Sequence, residues 1–121
     1  MGARVNYNIK QADGYYLNLY SHWGEYDRFR DVAHALDKAR PRWSDESYCA
    51  RIIISNLIGP EWAEETGFGL WASQEPSYDN TWVTIDMSNK TVEDETGTHD
   101  WDSYINYHMP KVVDKVEDAV V

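Results

Sequence analysis

The chain has 121 residues, a single cysteine and a formal net charge of −10. This length is typical of a single domain, residues 1–121, and is long enough to bury a core without disulfide staples. One cysteine excludes an internal disulfide and a cysteine-rich zinc site. The sequence shows no apolar run near the roughly 20 residues of a membrane helix and no charged-then-apolar leader. We therefore expect an intracellular protein that does not contact the membrane.

The negative charge is concentrated in the second half of the chain. Residues 1–60 hold 8 Lys and Arg against 7 Asp and Glu, whereas residues 61–121 hold 3 against 14. Because phosphate contacts need Lys and Arg, we expect no direct binding of nucleic acid through the second half. That half suits a basic partner surface, although solubility alone is the more common reason for an acidic surface.

The N-terminal residues predict a β-hairpin. Residues 4–10 alternate apolar and polar side chains, as a half-buried strand does. Asp13-Gly14 is a tight-turn dipeptide, and residues 15–21 then alternate again as the return strand.

Two helices are expected after the hairpin. Residues 25–39 carry apolar side chains at helical spacing until Pro41. Ser44 is expected to cap a second helix, which Gly59-Pro60 terminates. The predicted inward faces comprise Tyr26, Phe29, Val32, Ala33, Leu36 and Ala39 in the first helix and Tyr48, Cys49, Ile52, Ile53 and Leu57 in the second.

The next part of the chain returns to strands. Residues 67–73 and 81–87 alternate between the two faces of a sheet, and a polar loop, residues 74–80, separates them. Residues 91–94 predict a third, shorter strand, and an acidic loop follows it.

The end of the chain predicts helix, which completes the order β-β-α-α-β-β-β-α. Asp102-Ser103 is expected to cap a short helix, and Pro110 to open a last, valine-rich one. Hairpin strands favour antiparallel pairing, and apolar helix stripes need a sheet face to cover. We predict an α+β fold, a two-layer sandwich in which an antiparallel sheet of about five strands carries its helices on one face.

Aromatic residues are expected to collect on the uncovered sheet face. The chain holds 6 Trp and 9 Tyr, and the strand alternation places Tyr16, Tyr20, Trp71 and Trp82 outward. Such a face usually packs against something. A homodimer is the simplest partner, because a face-to-face contact uses the same patch twice. The alternatives are a register shifted by one residue or a face covered by the last helix.

The strand end Ser21-His22-Trp23-Gly24 forms a corner before the first helix. Trp23 is expected to fill the gap between hairpin and helix, and Gly24 to permit a sharp exit. His22 is expected to donate a hydrogen bond to nearby backbone or a carboxylate. Ser21 and His22 point to opposite faces of the strand, so they cannot pair as a catalytic dyad.

Three blocks of sequence resemble a family of small uncharacterised bacteriophage proteins. The blocks are residues 19–24 (LYSHWG), 42–53 (RWSDESYCARII) and 65–69 (ETGFG), and the resemblance extends over residues 2–109. The family shares a Tyr-Ser-His-Trp-Gly strand end and an Arg-Trp-x-Asp-x-Ser-Tyr helix start. The resemblance implies a viral accessory protein in the cytoplasm of the infected bacterial host, where it binds and inhibits a host or defence protein. It supplies no catalytic residues.

The sequence offers little for catalysis or metal binding. It has no Gly-x-Ser-x-Gly elbow, and Cys49 falls inside a predicted helix, where a buried structural thiol is the common case. None of the four histidines has another histidine three or four residues away. We predict a non-enzymatic protein with no cofactor and no metal. A small-molecule or nucleotide-binding protein with hydrolase activity remains the alternative, because dispersed residues can build a site.

Basic residues near the two central helices suggest one candidate site. Arg42 and Arg51 suit a nucleotide phosphate, with Trp23 or Trp43 stacking on a base. Ion pairs with neighbouring acids are the favoured alternative. A functional site in this part of the chain is expected to include Tyr20, His22, Arg42 and Trp43.

The acidic segment and the aromatic face suggest two protein-binding mechanisms. Acidic mimicry of nucleic acid would use Glu93, Asp94 and Glu95, followed by Asp100 and Asp102; neutralising the first three would then relieve repulsion and raise the melting temperature slightly. Docking through aromatic residues would use Trp71 and Trp82. The predicted binding set comprises Tyr20, His22, Trp23, Arg42, Trp43, Trp71, Trp82, Glu93, Asp94 and Glu95.

Overall fold

The computed structural model describes residues 3–109, which form a six-stranded mixed sheet with three α-helices. The strands are β1 (Val5–Lys10), β2 (Tyr16–Ser21), β3 (Phe68–Ser73), β4 (Thr81–Asp86), β5 (Thr91–Asp94) and β6 (Gly97–Asp100). The helices are α1 (Arg28–Lys38), α2 (Glu46–Ile58) and α3 (Trp101–His108). The predicted α+β class is confirmed, and the order of elements agrees apart from one additional strand. The helix predicted from Pro110 lies outside the described residues.

The sheet contains one parallel pair, which the sequence does not predict. The strand order is β3-β2-β1-β4-β5-β6, and every neighbouring pair is antiparallel except β1 and β4. After β3 the chain crosses back over β2 and β1, so that β4 enters beside β1 in the same direction. The prediction of an antiparallel sheet is therefore wrong for this pairing, and the sheet has one strand more than the five or so expected.

The sixth strand occupies part of the segment expected to be an acidic loop. Gly97–Asp100 pairs antiparallel with β5 through a tight turn, in which Gly97 has a φ of 122°. As an edge strand with largely exposed, polar side chains, β6 lacks the apolar alternation that marks a strand in a sequence.

The core lies between the helices and the face of the sheet that carries Val5, Tyr7 and Ile9. Its largest fully buried side chains are Trp101, Tyr7, Tyr104, Ile9, Leu19, Leu36, Ile53, Ile85, Val5, Val32, Val83 and Val92. Two residues predicted to face inward do not: Tyr26 is 84% exposed and Tyr48 is also exposed. Tyr26 belongs to a short 3-10 turn before α1, so the helical spacing does not extend to it.

Aspartates cap α2 and α3, each close to the predicted cap. Asp45 accepts a hydrogen bond from the Tyr48 backbone N–H, and Asp100 accepts one from the Ser103 backbone N–H. Both aspartates have the extended backbone that a capping residue needs. Ser44, the predicted cap of α2, lies one residue earlier.

Residues 74–80 cross the outer face of the sheet, the face opposite the helices. Between Ser73 and Thr81 the chain passes three strand spacings and shifts five residues along the strands. That path is roughly 22 Å long. Eight fully extended residues span roughly 26–29 Å, so the crossing loop is close to taut.

The crossing loop is held at its centre by asparagines of β1. The Asn8 side chain donates to the Ser77 carbonyl (3.0 Å) and accepts from the Ser77 N–H (3.1 Å), while Asn6 donates to the Ser77 hydroxyl (2.9 Å). Asn6, Asn8 and Asn18 are buried on this face. The centre of the outer face is therefore polar and covered.

Candidate functional site

The predicted cluster of Tyr20, His22, Arg42 and Trp43 divides into separate pairs. The Tyr20 hydroxyl and His22 Nδ1 are hydrogen bonded at 2.8 Å at the end of β2. The expectation that His22 donates to backbone or a carboxylate is therefore wrong, because an adjacent outer-face tyrosine takes that place. Trp43 lies in the helical layer, where its Nε1 donates to the Leu36 carbonyl at 2.9 Å.

Arg42 forms an ion pair instead of a phosphate clamp. Its guanidinium lies 3.6 Å from the Asp45 carboxylate and over the ring of Tyr48. Arg51 points to the hydroxyl of Ser55. The two arginines thus have separate neighbours, as the ion-pair interpretation expects for Arg42.

Trp23 covers the start of β3. A Cβ atom on Gly67 would lie 2.7 Å from the Trp23 ring, and the Phe68 ring packs edge-on at 6.3 Å. Trp23 itself remains exposed. The expectation that it fills the gap between hairpin and first helix is therefore wrong.

Gly24 is required for close packing. A Cβ atom there would lie 2.9 Å from the Ser21 hydroxyl and 3.0 Å from the Tyr7 hydroxyl. Its φ of −94° is available to any residue, so the need for glycine comes from these neighbours and not from the backbone angle.

Asp94 is a structural residue of the interior. It is 4% exposed and accepts hydrogen bonds from the Thr96 N–H (2.8 Å), the Thr96 hydroxyl and the Tyr104 hydroxyl (3.0 Å). Burial and the Asp94 carboxylate raise the pKa of Tyr104. Asp94 therefore adds nothing to an exposed acidic surface.

The neighbouring acids are also engaged. Glu95 pairs with Arg28, and Asp102 pairs with Arg40 at 2.8 Å. Glu93 is exposed on β5. The segment does not present five free carboxylates side by side, which weakens it as a mimic of a phosphate backbone.

The predicted outward aromatic residues do lie on the outer face, but they do not form one patch. Asn6, covered by the crossing loop, separates Tyr20 from Trp82 in the strand register. Trp82 packs against Tyr78 of that loop at 4.7 Å. Only Trp71, on β3, remains exposed among Tyr16, Tyr20, Trp71 and Trp82.

The free edge of β3 is an exposed and uncharged sheet edge. Phe68–Ser73 contains no charge and no proline, and Leu70 is 59% exposed, with Trp71 and Ala72 exposed beside it. Proteins usually protect such edges with charges, prolines or shortness. The opposite edge of the sheet follows that rule, because β6 has four mostly polar residues. Within residues 3–109, no strand pairs with this edge of β3, so the edge can accept a further strand.

The strand register identifies which backbone groups point outward. The His22 N–H donates to the Gly67 carbonyl at 2.9 Å, so these two residues form a hydrogen-bonded pair just before β3. Hydrogen-bonded and non-bonded pairs alternate along an antiparallel ladder. The N–H and C=O groups of Phe68, Leu70 and Ala72 therefore face away from β2, toward the free edge.

An apolar groove runs beside this edge on the helix side of the sheet. A pocket of about 310 Å³ lies between α2 and strands β2 and β3, lined in part by Leu17, Ile54 and Leu70. A second pocket of about 420 Å³ shares Ile54 and continues to Ile58 and Trp62. Trp62 is 76% exposed. We call the free edge of β3 together with Ile54, Ile58 and Trp62 the β3–α2 surface.

The sequence carries a signal for this surface that composition alone does not reveal. Nine uncharged residues, 66–74, follow Glu64-Glu65, and Glu75 follows them. Charges that flank an apolar strand act as gatekeepers against aggregation. Here the glutamates flank β3 and none lies within it, so the strand itself carries no charge.

A separate pocket lies between β6 and α3. A pocket of about 330 Å³ is lined by Thr96, His99, Ser103, Tyr104, Tyr107 and His108. Burial lowers the pKa of His108, as does the neighbouring His99, while Asp94 acts in the opposite direction. Within residues 3–109, no group of three His, Cys, Asp or Glu side chains is placed to hold a metal ion.

We expect His108 to make the protein less stable at mildly acidic pH. Its lowered pKa means that the unfolded chain binds the proton more readily, so stability falls as the pH drops below about 6.5. Denaturant melts at several pH values should show a smaller decline in His108→Gln than in the wild type. Exposed His34→Gln is the matched control. Equal declines in the wild type and in His108→Gln would contradict this expectation.

Cys49 is expected to be inert in the folded protein. Burial raises the pKa of its thiol to about 11, and the side chain is fully buried. Only the thiolate reacts with disulfide reagents, so labelling should proceed no faster than global unfolding. The rate of labelling of Cys49 is measured with a disulfide reagent that releases a coloured thiolate. Protein unfolded by denaturant, in which Cys49 is accessible, is the positive control. Rapid labelling of the native protein would show that the thiol is accessible.

Comparison of the chain with protein-family models, with curated proteins and with solved structures finds no match. Among residues 3–109, no helix combines the length and the apolar character needed to cross a membrane.

Proposed function

We propose that this protein acts by binding another protein at the β3–α2 surface, without catalysis. The observation that carries the proposal is the uncharged β3 edge, whose exposed Leu70 adjoins the apolar groove that ends at Trp62. Trp71 is exposed on the other face of the same strand. Contiguous exposed apolar surface of this kind typically marks a protein interface. The aromatic residues also suit such a role, because tryptophan is enriched at binding hot spots.

We further propose a phage-encoded accessory protein that binds a host or defence protein in the cytoplasm of the infected bacterium. Its support is the position of the three resembling blocks. Residues 42–53 contain the first half of α2, residues 65–69 lead into β3, and residues 19–24 end β2 and contain Trp23, which covers Gly67. Residues 42–53 and 65–69 therefore adjoin the β3–α2 surface, and residues 19–24 pack on Gly67 just before β3.

Two mechanisms expected from the sequence have less support. A homodimer through the outer face and acidic mimicry both stay predictions. The crossing loop covers the centre of the outer face, and Asp94 is buried in the interior.

Affinity capture from bacterial host lysate tests the proposed surface. The tagged wild type should retain a host protein that the double variant Leu70→Ser, Trp62→Ser loses, because both side chains are exposed and apolar. Tyr26→Ser removes an equally exposed aromatic group elsewhere and should retain the partner. Thermal melts should be nearly unchanged for all variants, since surface substitutions are usually within about 0.5 kcal/mol. Identical captured proteins from all three would contradict the assignment.

A small-molecule-binding function is the second candidate, and the pocket of His99, Tyr104 and His108 favours it. A thermal-shift screen with nucleotides and other small anions tests it. A true ligand at a hundred times its dissociation constant adds about 2.7 kcal/mol of stability. The shift should disappear in His99→Ala and persist in His34→Ala.

A further inference from the structure

The β3 edge specifies what kind of segment can occupy it. Phe68, Leu70 and Ala72 direct three N–H donors and three C=O acceptors away from β2, in strand spacing. An extended polypeptide satisfies such a row completely, because its own donors and acceptors repeat at the same spacing. A helix satisfies its backbone groups internally and would leave the row unpaired.

The side chains beside the β3 edge determine which residues of the added strand should be apolar. Residues of an added strand that face the helix layer would meet Leu70 and the groove at Ile54. Residues that face the other way would lie beside Trp71, which is exposed on the outer face. Since strand side chains alternate between faces, the residues directed into the groove should be apolar.

Charge distinguishes a foreign segment from a second copy of this chain. Exposed Glu64 and Glu65 precede β3, and exposed Glu75 follows it. In an antiparallel two-fold pairing centred on Leu70, Glu65 of one copy would lie opposite Glu75 of the other. Each copy also carries a net charge of −10. Like charges across a pairing are destabilising, whereas Lys or Arg at the ends of the added segment would be attracted.

We propose that the partner binds as an added β-strand along Phe68–Ser73, using a segment of alternating apolar residues with Lys or Arg at both ends. Since this inference rests on the proposed binding surface, its test must separate strand pairing from apolar contact. Ala72 allows that separation. Its exposed side chain is small, and its N–H points to the free edge.

The probe is the peptide Lys-Lys-Thr-Val-Thr-Val-Thr-Val-Lys-Lys, titrated into ¹⁵N-labelled protein. The amides of Phe68, Leu70 and Ala72 should shift and exchange more slowly with solvent. Ala72→Pro removes one outward donor and should weaken binding roughly five- to tenfold. Ala72→Val keeps the donor and should bind like the wild type. Peptide with N-methyl groups on the edge-facing valines should also bind more weakly, and this comparison leaves the protein unchanged.

Three results would overturn strand addition. They are amide shifts confined to another part of the protein, equal affinity for a peptide with Glu in place of Lys, and unchanged affinity of the N-methylated peptide. Sedimentation equilibrium can give a fourth contradicting result. If the wild type self-associates and Ala72→Pro abolishes this self-association, the strand that occupies the edge comes from a second copy of the chain. The proposed binding surface and the proposed strand pairing can be contradicted independently. A host protein lost by the Leu70→Ser, Trp62→Ser variant but held normally by Ala72→Pro would support the surface and overturn strand pairing.

Discussion

Replacement of Trp101 by alanine is expected to lower the free energy of unfolding by about 3–5 kcal/mol. Trp101 is 1% exposed, its ring packs on Trp43 at 5.1 Å, and its Nε1 donates to the Thr91 carbonyl at 3.0 Å. The substitution therefore leaves a large cavity where α3, β5 and the helical layer meet. Because domains are stable by only about 5–15 kcal/mol, a large share of the total would be lost.

Urea denaturation of the Trp101→Ala variant measures this effect. Trp62→Ala is the matched control, since it removes the same side chain from an exposed position and should cost no more than about 0.5 kcal/mol. Two variants with equal losses, or a loss below about 1 kcal/mol for Trp101→Ala, would show that Trp101 does not lie in a packed core.

Substitution of Asp94 by asparagine is expected to cost about 1.5–3 kcal/mol, the usual value of hydrogen bonds to a charged group. An asparagine keeps one acceptor oxygen but places an amide N–H₂ where the Tyr104 hydroxyl now donates. The sequence alone favours the opposite sign, because neutralising one of several clustered acids should relieve repulsion. Burial reverses that expectation, since Asp94 holds the turn at Thr96 and the hydroxyl of Tyr104.

The matched control for Asp94 is its neighbour Glu93, which is exposed on the same strand. Glu93→Gln should leave the melting temperature nearly unchanged, while Asp94→Asn should lower it by several degrees. Thermal melts at low and high salt complete the test, because a hydrogen-bonding loss persists when salt screens surface charges. An Asp94→Asn variant as stable as the wild type would indicate that the carboxylate is not part of the core.

Regular periodicity predicted most of the fold. The alternation of β1 and β2 and the helical stripe of α1 are local patterns, and such a pattern suffices to assign an element. The half-burial predicted for β1 is wrong, because the crossing loop also buries Asn6 and Asn8 on the outer face. The helical spacing predicts Tyr26 and Tyr48 inward because a tyrosine counts as apolar in a stripe, but both are exposed, where the tyrosine hydroxyl also fits.

Features that depend on distant contacts could not be predicted. The parallel pairing of β1 with β4 follows from the path of residues 74–80, which Asn8 fixes by two hydrogen bonds to Ser77. Nothing local marks Asn8 as the partner of a residue 69 positions away. The sixth strand likewise depends on pairing with β5, since its own residues are polar.

Only part of the β3–α2 surface could be predicted from the sequence. The strand alternation predicts that Trp71 faces outward, and Trp71 is exposed on the outer face of β3. The edge itself was not predicted, because strand order decides which strand has a free side and strand order is a property of the whole sheet. The groove toward Trp62 also requires the position of α2 relative to β3.

Charge and shape act together in the proposed interface. An uncharged strand provides the backbone contacts, and the glutamates around it select a basic segment over a second acidic copy. Rim charges mainly affect association rates and salt sensitivity. Binding should therefore weaken as salt is added, while the contribution of Leu70 and Trp62 should persist.

Photo-crosslinking in bacterial host cells tests the proposed surface most directly. A photoreactive phenylalanine analogue is placed at Leu70 on the β3 edge or at Tyr26 on the short turn before α1, both of which are well exposed. We predict one dominant crosslinked product from position 70 that is absent from position 26 and is lost when Trp62→Ser is added. Equal crosslinking from both positions, or a product from position 26 alone, would contradict a binding function for the β3–α2 surface.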